Sequence, residues 1–457
     1  MLCSGRLTRS SDEVSVMETE QRGSAVRLHF INQLKKRMNL WNETKSIPIS
    51  RQMVWLAYQK VRSNKGSAGV DAISMQEFDT NRRKHLYKLW NRMSSGSYFP
   101  PAVKEVEIPK KDGSVRKLGI PTISDRVGQM VVKMFIEPRL EKVFSSNSYG
   151  YRPGRNAHQA LAKVRENCWK QNWVIDLDIK GFFDTIDHNK LMLAVEKHVA
   201  ENWAKIYIKR WLESPVLTAS GALIEKQGKG TPQGGVISPL LANLFLHYAF
   251  DKWLEQTGKR VEFTRYADDV IIHCNTKAHA EQILQLVHQR MESVGLELHP
   301  QKTKIVYCRD YRRRGNYRTV KFDFLGYSFQ PRTAFSKKTK KLFIGYDCAI
   351  SISSRKRIAD KLEELNVTKL RFKSIVGVAQ YLNPMIRGWV QYYGKFKMYE
   401  LTKVFRLLSK RLVWWARKRY KRYKTSVRKA YKWLSTIRKQ FPTLFYHWNF
   451  SQINIDA

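Results

Sequence analysis

The sequence predicts an α+β protein with two β-hairpins set among helices and a helical C-terminal part. Apolar and polar residues alternate over Val103–Ile108 and Val115–Ile120, and again over Val261–Cys274, with the two-residue period of strands. Most of the remaining body has apolar residues at helical spacing, and strand patterns fade beyond residue 331. At 457 residues, of which 43% are hydrophobic, the chain is long enough for two or three packed units.

The net charge is the strongest compositional signal. Lys and Arg number 83 against 39 Asp and Glu, which gives a formal net charge of +44 at pH 7. An excess of this size is typical of proteins that lie along phosphate backbones, so a nucleic-acid partner is expected. A membrane partner is not expected, because the longest apolar candidate, Gly234–Phe250, is interrupted by Ser238, Pro239, Asn243 and His247.

The N-terminus and the cysteines predict a cytoplasmic protein. Charged residues from Arg6 to Glu13 replace the apolar core that a secretory signal requires. The five cysteines occur singly, with no Cys-x-x-Cys among them, which favours reduced thiols and argues against a zinc finger. We therefore expect a nucleic-acid-associated protein of the cytoplasm.

Composition and periodicity divide the chain into three segments. Residues 1–24 follow neither period and predict a flexible N-terminal tail. Residues 25–330 make up the α+β body, and residues 331–457 predict a separate all-helical unit. In that last unit, Leu401–Gln440 contains fifteen Lys and Arg and no Asp or Glu.

The body can be followed element by element. Asn64–Ser74 is a loop containing glycine, and Lys110–Ser114 is a turn that joins the first pair of strands into a hairpin. A short strand is predicted over Trp173–Asp178, between helical segments. A helix around Ala280–Met291 is followed by Gly295, where a left-handed C-terminal cap is needed.

Two acidic segments stand out against this basic background. The sharper one is Arg265–Asp269, whose Asp268-Asp269 pair links two strand-like runs. Asp is common in turns for conformational reasons, so the pair alone is weak evidence for a site. In Val174–Ile179, however, the period of two places Asp176 and Asp178 on one face of a second strand. Carboxylates gathered in so basic a chain are the kind of anomaly that marks a functional site.

The chemistry of such carboxylates points to phosphoryl transfer. They repel one another unless cations lie between them, and hard oxygen ligands select Mg²⁺ or Mn²⁺. A pair of such ions can activate an attacking 3′-hydroxyl and stabilise departing pyrophosphate in an in-line transfer. The acidic segments therefore suggest nucleotide polymerisation with two Mg²⁺ ions, for which Mn²⁺ can substitute.

A series of motifs resembles the group II intron-encoded reverse transcriptases and maturases of bacteria. Tyr266–Asp269 is similar to the signature tetrapeptide of reverse transcriptases. The other similar motifs are, in chain order, Asn64–Asp71, Ile108–Lys110 with Val115–Pro121, Ser148–His158, Asp176–Asp184, Thr231–Asn243, Leu298–Lys304 and Phe324–Tyr327. The resemblance covers roughly residue 50 to the C-terminus. It implies a right-hand polymerase with fingers and palm in residues 25–330, then a helical thumb and a maturase-like RNA-binding region in 331–457.

The same resemblance implies catalytic roles for individual residues. The metal-binding carboxylates correspond to Asp178, Asp268 and Asp269, and the carbonyl of Ile179 is a further expected ligand. Asp178 is preferred to its neighbour two residues earlier because Phe183 then falls five residues on, where reverse transcriptases have a bulky residue beneath the nucleotide sugar.

Residues expected to bind the incoming dNTP come from other motifs. Lys110 and Arg116 correspond to the residues that contact the triphosphate, although a solvated basic turn would contain the same residue types. Gln233 matches the glutamine of the nucleotide pocket, with a plain tight turn as the alternative. Lys302 matches the lysine thought to protonate pyrophosphate, although a chance lysine is common in so basic a chain.

The C-terminal unit combines cations with aromatic residues in the way that RNA-binding surfaces do. Cations neutralise phosphates, and aromatic rings stack on unpaired bases. Gly388–Tyr393 resembles the maturase-specific motif of intron-encoded proteins. The aromatic residues also suit the core of a helical bundle, and for Trp414 and Trp433 we predict that packing role.

The expected function is RNA-directed DNA polymerisation, with binding of group II intron RNA and assistance in splicing. The partners would be an RNA template, a DNA or RNA primer and dNTPs. One alternative is an intron-free reverse transcriptase used in DNA repair or phage defence, and another is a splicing maturase without polymerase activity. An RNA-dependent RNA polymerase is disfavoured because Ala267 and Phe183 stand where such enzymes usually have Gly and a polar residue. The cysteines of a His-Asn-His nuclease do not occur, so second-strand cleavage is not expected.

Overall fold

The structure, a computed structural model, describes residues 45–109, 115–257, 261–336 and 339–450. The described residues form two compact units, one within 45–143 and 183–245 and the other within 144–182 and 246–450. The predicted tail 1–24 lies outside the described residues. Among the described helices, we find none that is both long enough and apolar enough to span a bilayer.

Helices dominate both units. The α-helices are α1 (Arg51–Ser63), α2 (Met75–Thr80), α3 (Arg82–Ser94), α4 (Ile123–Leu140), α5 (Ala157–Lys170), α6 (Phe182–Thr185), α7 (His188–His198), α8 (Asn202–Glu213), α9 (Ser238–Leu246), α10 (Lys252–Gln256), α11 (Lys277–Ser293), α12 (Ile352–Glu364), α13 (Ile375–Tyr393), α14 (Met398–Arg419) and α15 (Val427–Gln440). A π-helix over His247–Asp251 joins α9 to α10. Short 3₁₀-helices occupy Val367–Lys369, Lys421–Tyr423 and Tyr446–Phe450.

The strands form three sheets. The strands are β1 (Val103–Pro109), β2 (Val115–Ile120), β3 (Trp173–Leu177), β4 (Val216–Leu217), β5 (Leu223–Ile224), β6 (Glu262–Tyr266), β7 (Asp269–Cys274), β8 (Lys304–Tyr307), β9 (Phe322–Phe324), β10 (Tyr327–Phe335) and β11 (Leu342–Ile350). Their orders are β2-β1-β4-β5, β6-β7-β3-β8 and β11-β10-β9. The α+β prediction is therefore confirmed.

The first unit places a small sheet among helices. The predicted hairpin is confirmed: β1 and β2 pair antiparallel, with Ile108 opposite Arg116, while its turn at 110–114 lies outside the described residues. Helix α4 is buried along most of its length and supplies core residues such as Val127 and Val131. Asp187 caps α7 by accepting a hydrogen bond from the backbone N–H of Lys190 at 2.9 Å.

The second unit is built on a four-stranded sheet in which all neighbouring strands run antiparallel. The predicted hairpin over Val261–Cys274 forms β6 and β7, and the predicted strand over Trp173–Asp178 forms β3. Helix α11 packs on β3 and β7, and Gly295 follows it with φ +84°, as the C-cap prediction requires.

The same unit continues into a second sheet and a helical bundle. We predicted helices alone beyond residue 331, and this is wrong for the first twenty residues: β10 extends to Phe335 and β11 covers Leu342–Ile350. Pro331 within β10 and the lysine-rich turn between the strands weaken the strand pattern in the sequence. Between Ile352 and Phe450 the regular elements are helices, and α12 to α15 share one apolar core.

Candidate active site

The Asp268-Asp269 pair lies at the tight turn between β6 and β7. Tyr266 pairs with Asp269 across the hairpin, which leaves Ala267 and Asp268 as the two turn residues. Ala267 has φ +58°, a left-handed conformation that costs about 1–2 kcal/mol for a residue with a Cβ. Something outside the turn must therefore hold Ala267 in place.

That support is a buried arginine. The Arg265 guanidinium donates a hydrogen bond to the Ala267 carbonyl at 3.0 Å and another from Nε to the Asp251 carboxylate at 2.7 Å. The Arg265 and Asp251 side chains are both 0% exposed. Asp251 ends the π-helix, whose wider turn alters the helical phase just before it. Sequence reasoning missed this pair, because nothing in the sequence relates a helical Asp to an Arg fourteen residues later.

The backbone of the Ser148–His158 motif lies directly against the turn. Tyr149 N–H donates to the Arg265 carbonyl at 2.8 Å, and Arg265 N–H donates to the Asn147 carbonyl at 2.9 Å. At Gly150, a Cβ would lie 2.4 Å from the Ala267 nitrogen, which is too close for any side chain. The motif therefore buttresses the acidic turn through its backbone.

Strand register brings Asp178 to the same place. Leu177 pairs with Val270, so the next residue, Asp178, lies opposite Asp269 if the register continues. On the other side, Asp176 pairs with Lys304, and beyond this pair the register shifts, so that His299 N–H donates to the Asp178 carbonyl at 2.7 Å. The Lys302 ammonium lies 3.0 Å from an Asp178 carboxylate oxygen. Asp178, Asp269 and Lys302 thus lie close together, with Asp268 adjacent in the chain, and we call this group the carboxylate row.

The electrostatics reflect this crowding of carboxylates. Partial enclosure by protein, followed by the negative charges of Asp268, Asp178 and Asp176, raises the pKa of Asp269 to about 7, and Lys302 opposes the shift. The residue nevertheless keeps an exposed surface, so ligands can reach it. A carboxylate that resists ionisation among its neighbours, yet remains open to solvent, is suited to accept a cation.

Asp176 lies deeper than Asp178. Burial raises the pKa of Asp176 to about 6, although the Lys304 ammonium lies 3.5 Å away and favours the charged form. Val174, which lies on the same face of β3, is fully buried in the core. The start of this strand face is therefore packed, and only its end is acidic. The Asp178 side chain is more exposed, at 29% against 18% for Asp176.

The carboxylate row does not form a closed ligand cage. Within the ranges that the structure describes, no three His, Cys, Asp or Glu side chains converge closely enough to hold a metal ion. Ile179, whose carbonyl we expected as a ligand, forms a single antiparallel bridge with Leu298. The donor set itself is the one that Mg²⁺ prefers, since it consists of carboxylate oxygens under mutual repulsion.

The residues expected to bind dNTP group together in the first unit. Arg116 Nε donates to the Gln233 side-chain oxygen at 2.9 Å, and the Gln233 amide nitrogen lies 3.4 Å from an Asp184 oxygen. Gln233 is also held through its backbone, because its carbonyl accepts from Gly119 N–H on β2 at 3.0 Å. Lys110 lies outside the described residues.

A buried polar network holds the loop that carries Gln233. The Gln129 side-chain oxygen accepts from Val236 N–H at 2.7 Å, and its amide nitrogen donates to Asp125 at 3.1 Å. Burial raises the pKa of Asp125 to about 6, even though Trp211, Tyr98 and Gln129 all donate hydrogen bonds to it. These contacts fix the backbone just after Gln233, and no sequence motif suggested them.

Phe183 lies in the short helix α6 and is half-buried. Its carbonyl accepts a hydrogen bond from Thr231 N–H at 2.7 Å, which ties the predicted sugar-contacting residue to the start of the Gln233 loop. Asp184, the next residue, is the one that lies near the Gln233 amide. Phe183, Arg116 and Gln233 therefore belong to one connected part of the first unit.

The aromatic residues of the C-terminal helices take different environments. Trp433 packs against the apolar core of the bundle, as predicted. For Trp414 that prediction is wrong: its side chain is 49% exposed, and the Arg417 guanidinium lies 4.4 Å from its ring centroid. The adjacent Trp415 is buried instead. Because consecutive residues of a helix point in different directions, Trp415 faces the core and Trp414 lies on the cationic surface.

Comparison with protein families gives two matches along the chain. Residues 108–329 match the model described as reverse transcriptase (RNA-dependent DNA polymerase). Residues 355–433 match the model described as group II intron, maturase-specific domain. The first range contains the carboxylate row and the Gln233 loop, and the second contains much of the helical bundle.

Similar curated proteins include bacterial and fungal examples. Protein YkfC of Escherichia coli is 32% identical over 330 residues, which are 62% of this chain and 86% of that protein. Group II intron-encoded protein LtrA of Lactococcus lactis is 31% identical over 258 residues, 55% of this chain and 42% of that protein. The putative COX1/OXI3 intron 1 protein of Saccharomyces cerevisiae is 24% identical over 342 residues, 64% of this chain and 40% of that protein. The matched region thus spans less than half of the Lactococcus and yeast proteins.

Proposed function

The chain belongs to the family of group II intron-encoded reverse transcriptases and maturases, and we propose that it extends a primer on an RNA template with dNTPs. We further propose that it binds group II intron RNA and assists its splicing. In this proposal residues 25–330 contain the fingers and palm, and the thumb and maturase-like region follow them.

The observation that carries the proposal is the row of Asp178, Asp269 and Lys302, with Asp268 beside it. Strands that are distant in sequence bring these residues together, and a buried ion pair holds the turn on which two of them stand. An intact set of carboxylates also favours a polymerase over a maturase that has lost the activity. Their crowding serves no packing purpose, because Asp269 is exposed.

Asp178, Asp268 and Asp269 would hold the metal ions, with the Ile179 carbonyl as a further ligand. Two bound Mg²⁺ ions, or Mn²⁺ in their place, would supply charge neutralisation for in-line transfer of a nucleotide to the primer 3′-hydroxyl. We assign to Lys302 the proton that the leaving pyrophosphate takes up. Its ammonium, 3.0 Å from Asp178, is positioned among the groups that carry out the transfer.

The first unit would recognise the nucleotide. Arg116, together with Lys110, would contact the triphosphate, because a forked guanidinium suits phosphate oxygens. Gln233 would lie in the nucleotide pocket, held by the contacts of its side chain and its backbone. Phe183 would lie beneath the sugar and exclude a 2′-hydroxyl by its size.

RNA binding would depend on the C-terminal helices. Exposed cations line α14 and α15, including Arg406, Lys410, Lys432 and Lys439. Trp414 adds an exposed ring that can stack on an unpaired base. Neutralisation of phosphates by such cations does not require a particular base sequence, so specificity for an intron would come from RNA shape.

Primer extension tests the polymerase directly. The protein is incubated with a heteropolymeric RNA template, an annealed DNA primer and Mg²⁺, with either dNTPs or NTPs. We expect full-length extension with dNTPs and little product with NTPs. Efficient extension with NTPs alone would identify an RNA polymerase, and no product from either set would contradict the proposal. Self-splicing of a group II intron RNA at low Mg²⁺, with and without the protein, tests the maturase function.

A further inference from the structure

A small cavity in the first unit lies beside Gln233 and contains an unusual lysine. Its volume is about 180 Å³, and its polar lining comes mainly from Glu105, Lys117, Asp184, Lys226, Lys229 and Thr231. Three of these residues are cations and two are acids. The cavity belongs to none of the roles assigned above, although Gln233 borders it.

Lys226 is the feature that needs an explanation. Its ammonium nitrogen is buried and has no hydrogen-bond partner among the described residues. Burial lowers the pKa of Lys226 to about 8, and only the charge of Asp184 opposes the shift. A buried ammonium without a partner is costly, so it is seldom retained unless an anion compensates it.

A second polar atom in the same lining is also unsatisfied. The hydroxyl oxygen of Thr231 is buried and has no hydrogen-bond partner among the described residues. Thr231 itself is 2% exposed. Two residues that line one cavity thus have unsatisfied polar atoms, one an ammonium and one a hydroxyl, and this pair is a donor set suited to an oxyanion.

The acids of the cavity compensate Lys226 only in part, through the charge of Asp184. Glu105 is engaged by Lys117 at 3.1 Å, and Asp184 lies near the Gln233 amide at 3.4 Å. Lys229 is exposed and adds a further positive charge to the lining. Three cations against two acids leave the lining with a net positive charge that a ligand can meet.

The segment that carries these groups is held in place. His188 N–H donates to the Gly228 carbonyl at 2.9 Å, Gly230 N–H to the Ile186 carbonyl at 2.8 Å and Thr231 N–H to the Phe183 carbonyl at 2.7 Å. Gly230 has φ +85°, and a Cβ there would lie 3.0 Å from the Asp184 carbonyl oxygen. A donor set fixed in this way loses little entropy when it binds a ligand.

We propose that this cavity is a phosphate-binding subsite in which Lys226 and Thr231 bind the oxygens of one phosphate group. The choice of phosphate rests on the proposed polymerase function, which supplies two sources. One is the backbone of the template strand, and the other is the triphosphate of a dNTP. Both present the same oxyanion, so the experiment must separate them.

The test compares Lys226→Met and Thr231→Val with the wild type and with Lys88→Met, an exposed lysine on α3 of the same unit. Met has a similar length but no charge, and Val is close in shape to Thr. Both substitutions remove unsatisfied polar atoms, so the melting temperature should not fall. If Lys226→Met nevertheless unfolds, Thr231→Val and Lys226→Gln carry the same measurements.

Two measurements distinguish the sources. The first is the Kd for a primer–template with a single-stranded RNA overhang, measured without dNTPs across a salt series. The second is the KM for dNTP in primer extension. If the template is the source, Lys226→Met raises the Kd about tenfold and lowers the salt slope by about 0.7, since one phosphate contact is lost. If the triphosphate is the source, the KM rises by a similar factor and the Kd stays unchanged.

Failure of this proposal is distinguishable from failure of the polymerase proposal. If the wild type extends primers while Lys226→Met and Thr231→Val match Lys88→Met in both Kd and KM, the subsite is rejected and the polymerase stands. If the wild type extends nothing, binding of the RNA overhang and of inorganic tripolyphosphate still tests the subsite. Equal binding of both probes by the wild type and Lys226→Met would then overturn it.

Discussion

The acidic turn and the basic helices of the second unit differ in the number and burial of the contacts on which they depend. At the turn, Ala267 depends on one donor, Arg265, which is fully buried with its partner Asp251. On α14 and α15 the cations are exposed, and in our proposal many of them contribute to RNA binding. A site that depends on few buried contacts fails when one of them is removed, whereas a charged surface weakens by increments. Mutations in the two regions should therefore affect different assays. One substitution at the turn should cause a large loss, whereas each substitution on the helices should cause a small one.

The largest effect is expected at the carboxylates. Changing Asp268 and Asp269 to Ala removes the metal ligands and also relieves like-charge repulsion, so the protein should stay folded. Primer extension should fall about a thousandfold or more, because several kcal/mol of transition-state stabilisation are lost. Affinity for intron RNA, measured by filter binding, should remain.

The matched control changes Glu281 and Glu292, exposed acids on α11, to Ala and should leave extension intact. If the Asp268/Asp269 variant extends primers at near the wild-type rate, the catalytic site has been wrongly placed. If it loses RNA affinity as well, the separation between the two regions fails.

The next effect is expected at the buried ion pair. Arg265→Met leaves the Asp251 carboxylate buried without its partner, which should lower the free energy of unfolding by about 3–5 kcal/mol. Chemical denaturation measures this loss. Adding Asp251→Leu removes the second charge and should restore much of the stability, but not the extension rate, because the Ala267 carbonyl still lacks its donor.

Arg290→Met provides a control for loss of an arginine without a buried acid. Among the described residues, its guanidinium donates to the carbonyls of Ala249 and Tyr248, at 3.0 and 3.1 Å. The cost should be smaller, about 1–2 kcal/mol. Full recovery of extension in the Arg265→Met/Asp251→Leu variant would show that the pair stabilises the fold without positioning the turn.

A more gradual loss is expected on the helices. Changing Arg406, Lys410, Lys432 and Lys439 to Gln should weaken intron RNA binding by up to about a hundredfold and lower the log–log salt slope by up to about 2.8, at 0.7 for each contact. Extension on a short primed template should change less. Equal losses in the two assays would remove the functional distinction between the regions.

Four exposed cations on α3 serve as the control for net charge. Arg83, Lys84, Lys88 and Arg92 lie in the first unit, and their change to Gln makes the same charge difference. A matching loss of RNA affinity in this control would mean that binding follows total charge and not the C-terminal surface.

The smallest effect concerns sugar selection by the first unit. Phe183→Val should raise the relative efficiency of ribonucleotide incorporation by about 10- to 100-fold, because a smaller side chain leaves room for the 2′-hydroxyl. The ratio of kcat/KM for dCTP and CTP measures it. Phe99→Val, which removes an exposed ring in the same unit, should leave the ratio unchanged. An unchanged ratio for Phe183→Val would place the gate elsewhere and undermine the choice of Asp178.

Local patterns in the sequence predict much of this fold. Alternation and a turn motif predict β1 with β2 and β6 with β7, and the Asp187 cap follows from its position before an apolar helical run. These features depend on residues close together in the chain. The strands β10 and β11 escape prediction because Pro331 and a lysine-rich turn interrupt their pattern.

The site was harder to predict because it depends on long-range pairing. That Asp178 lies close to Asp269 follows from the pairing of Leu177 with Val270, which no local pattern contains. The environments of Trp414 and Trp415 differ by one step of helical phase, so composition alone could not separate them. Lys226 cannot be distinguished from the many other lysines of this chain by sequence, because the feature that sets it apart is the burial of its ammonium.

The contact of Gly150 with the turn constrains how this protein can diverge. A point mutation at a glycine codon introduces at least a Cβ, which here would lie 2.4 Å from the backbone nitrogen of Ala267. Because the clash is with backbone, no replacement at position 267 can compensate for it. Paired changes at these two positions should therefore be rare in related sequences, and position 267 should drift among small residues while position 150 does not. The geometry of the acidic turn thus restricts the residue at position 150, although that residue takes no part in the chemistry of the turn.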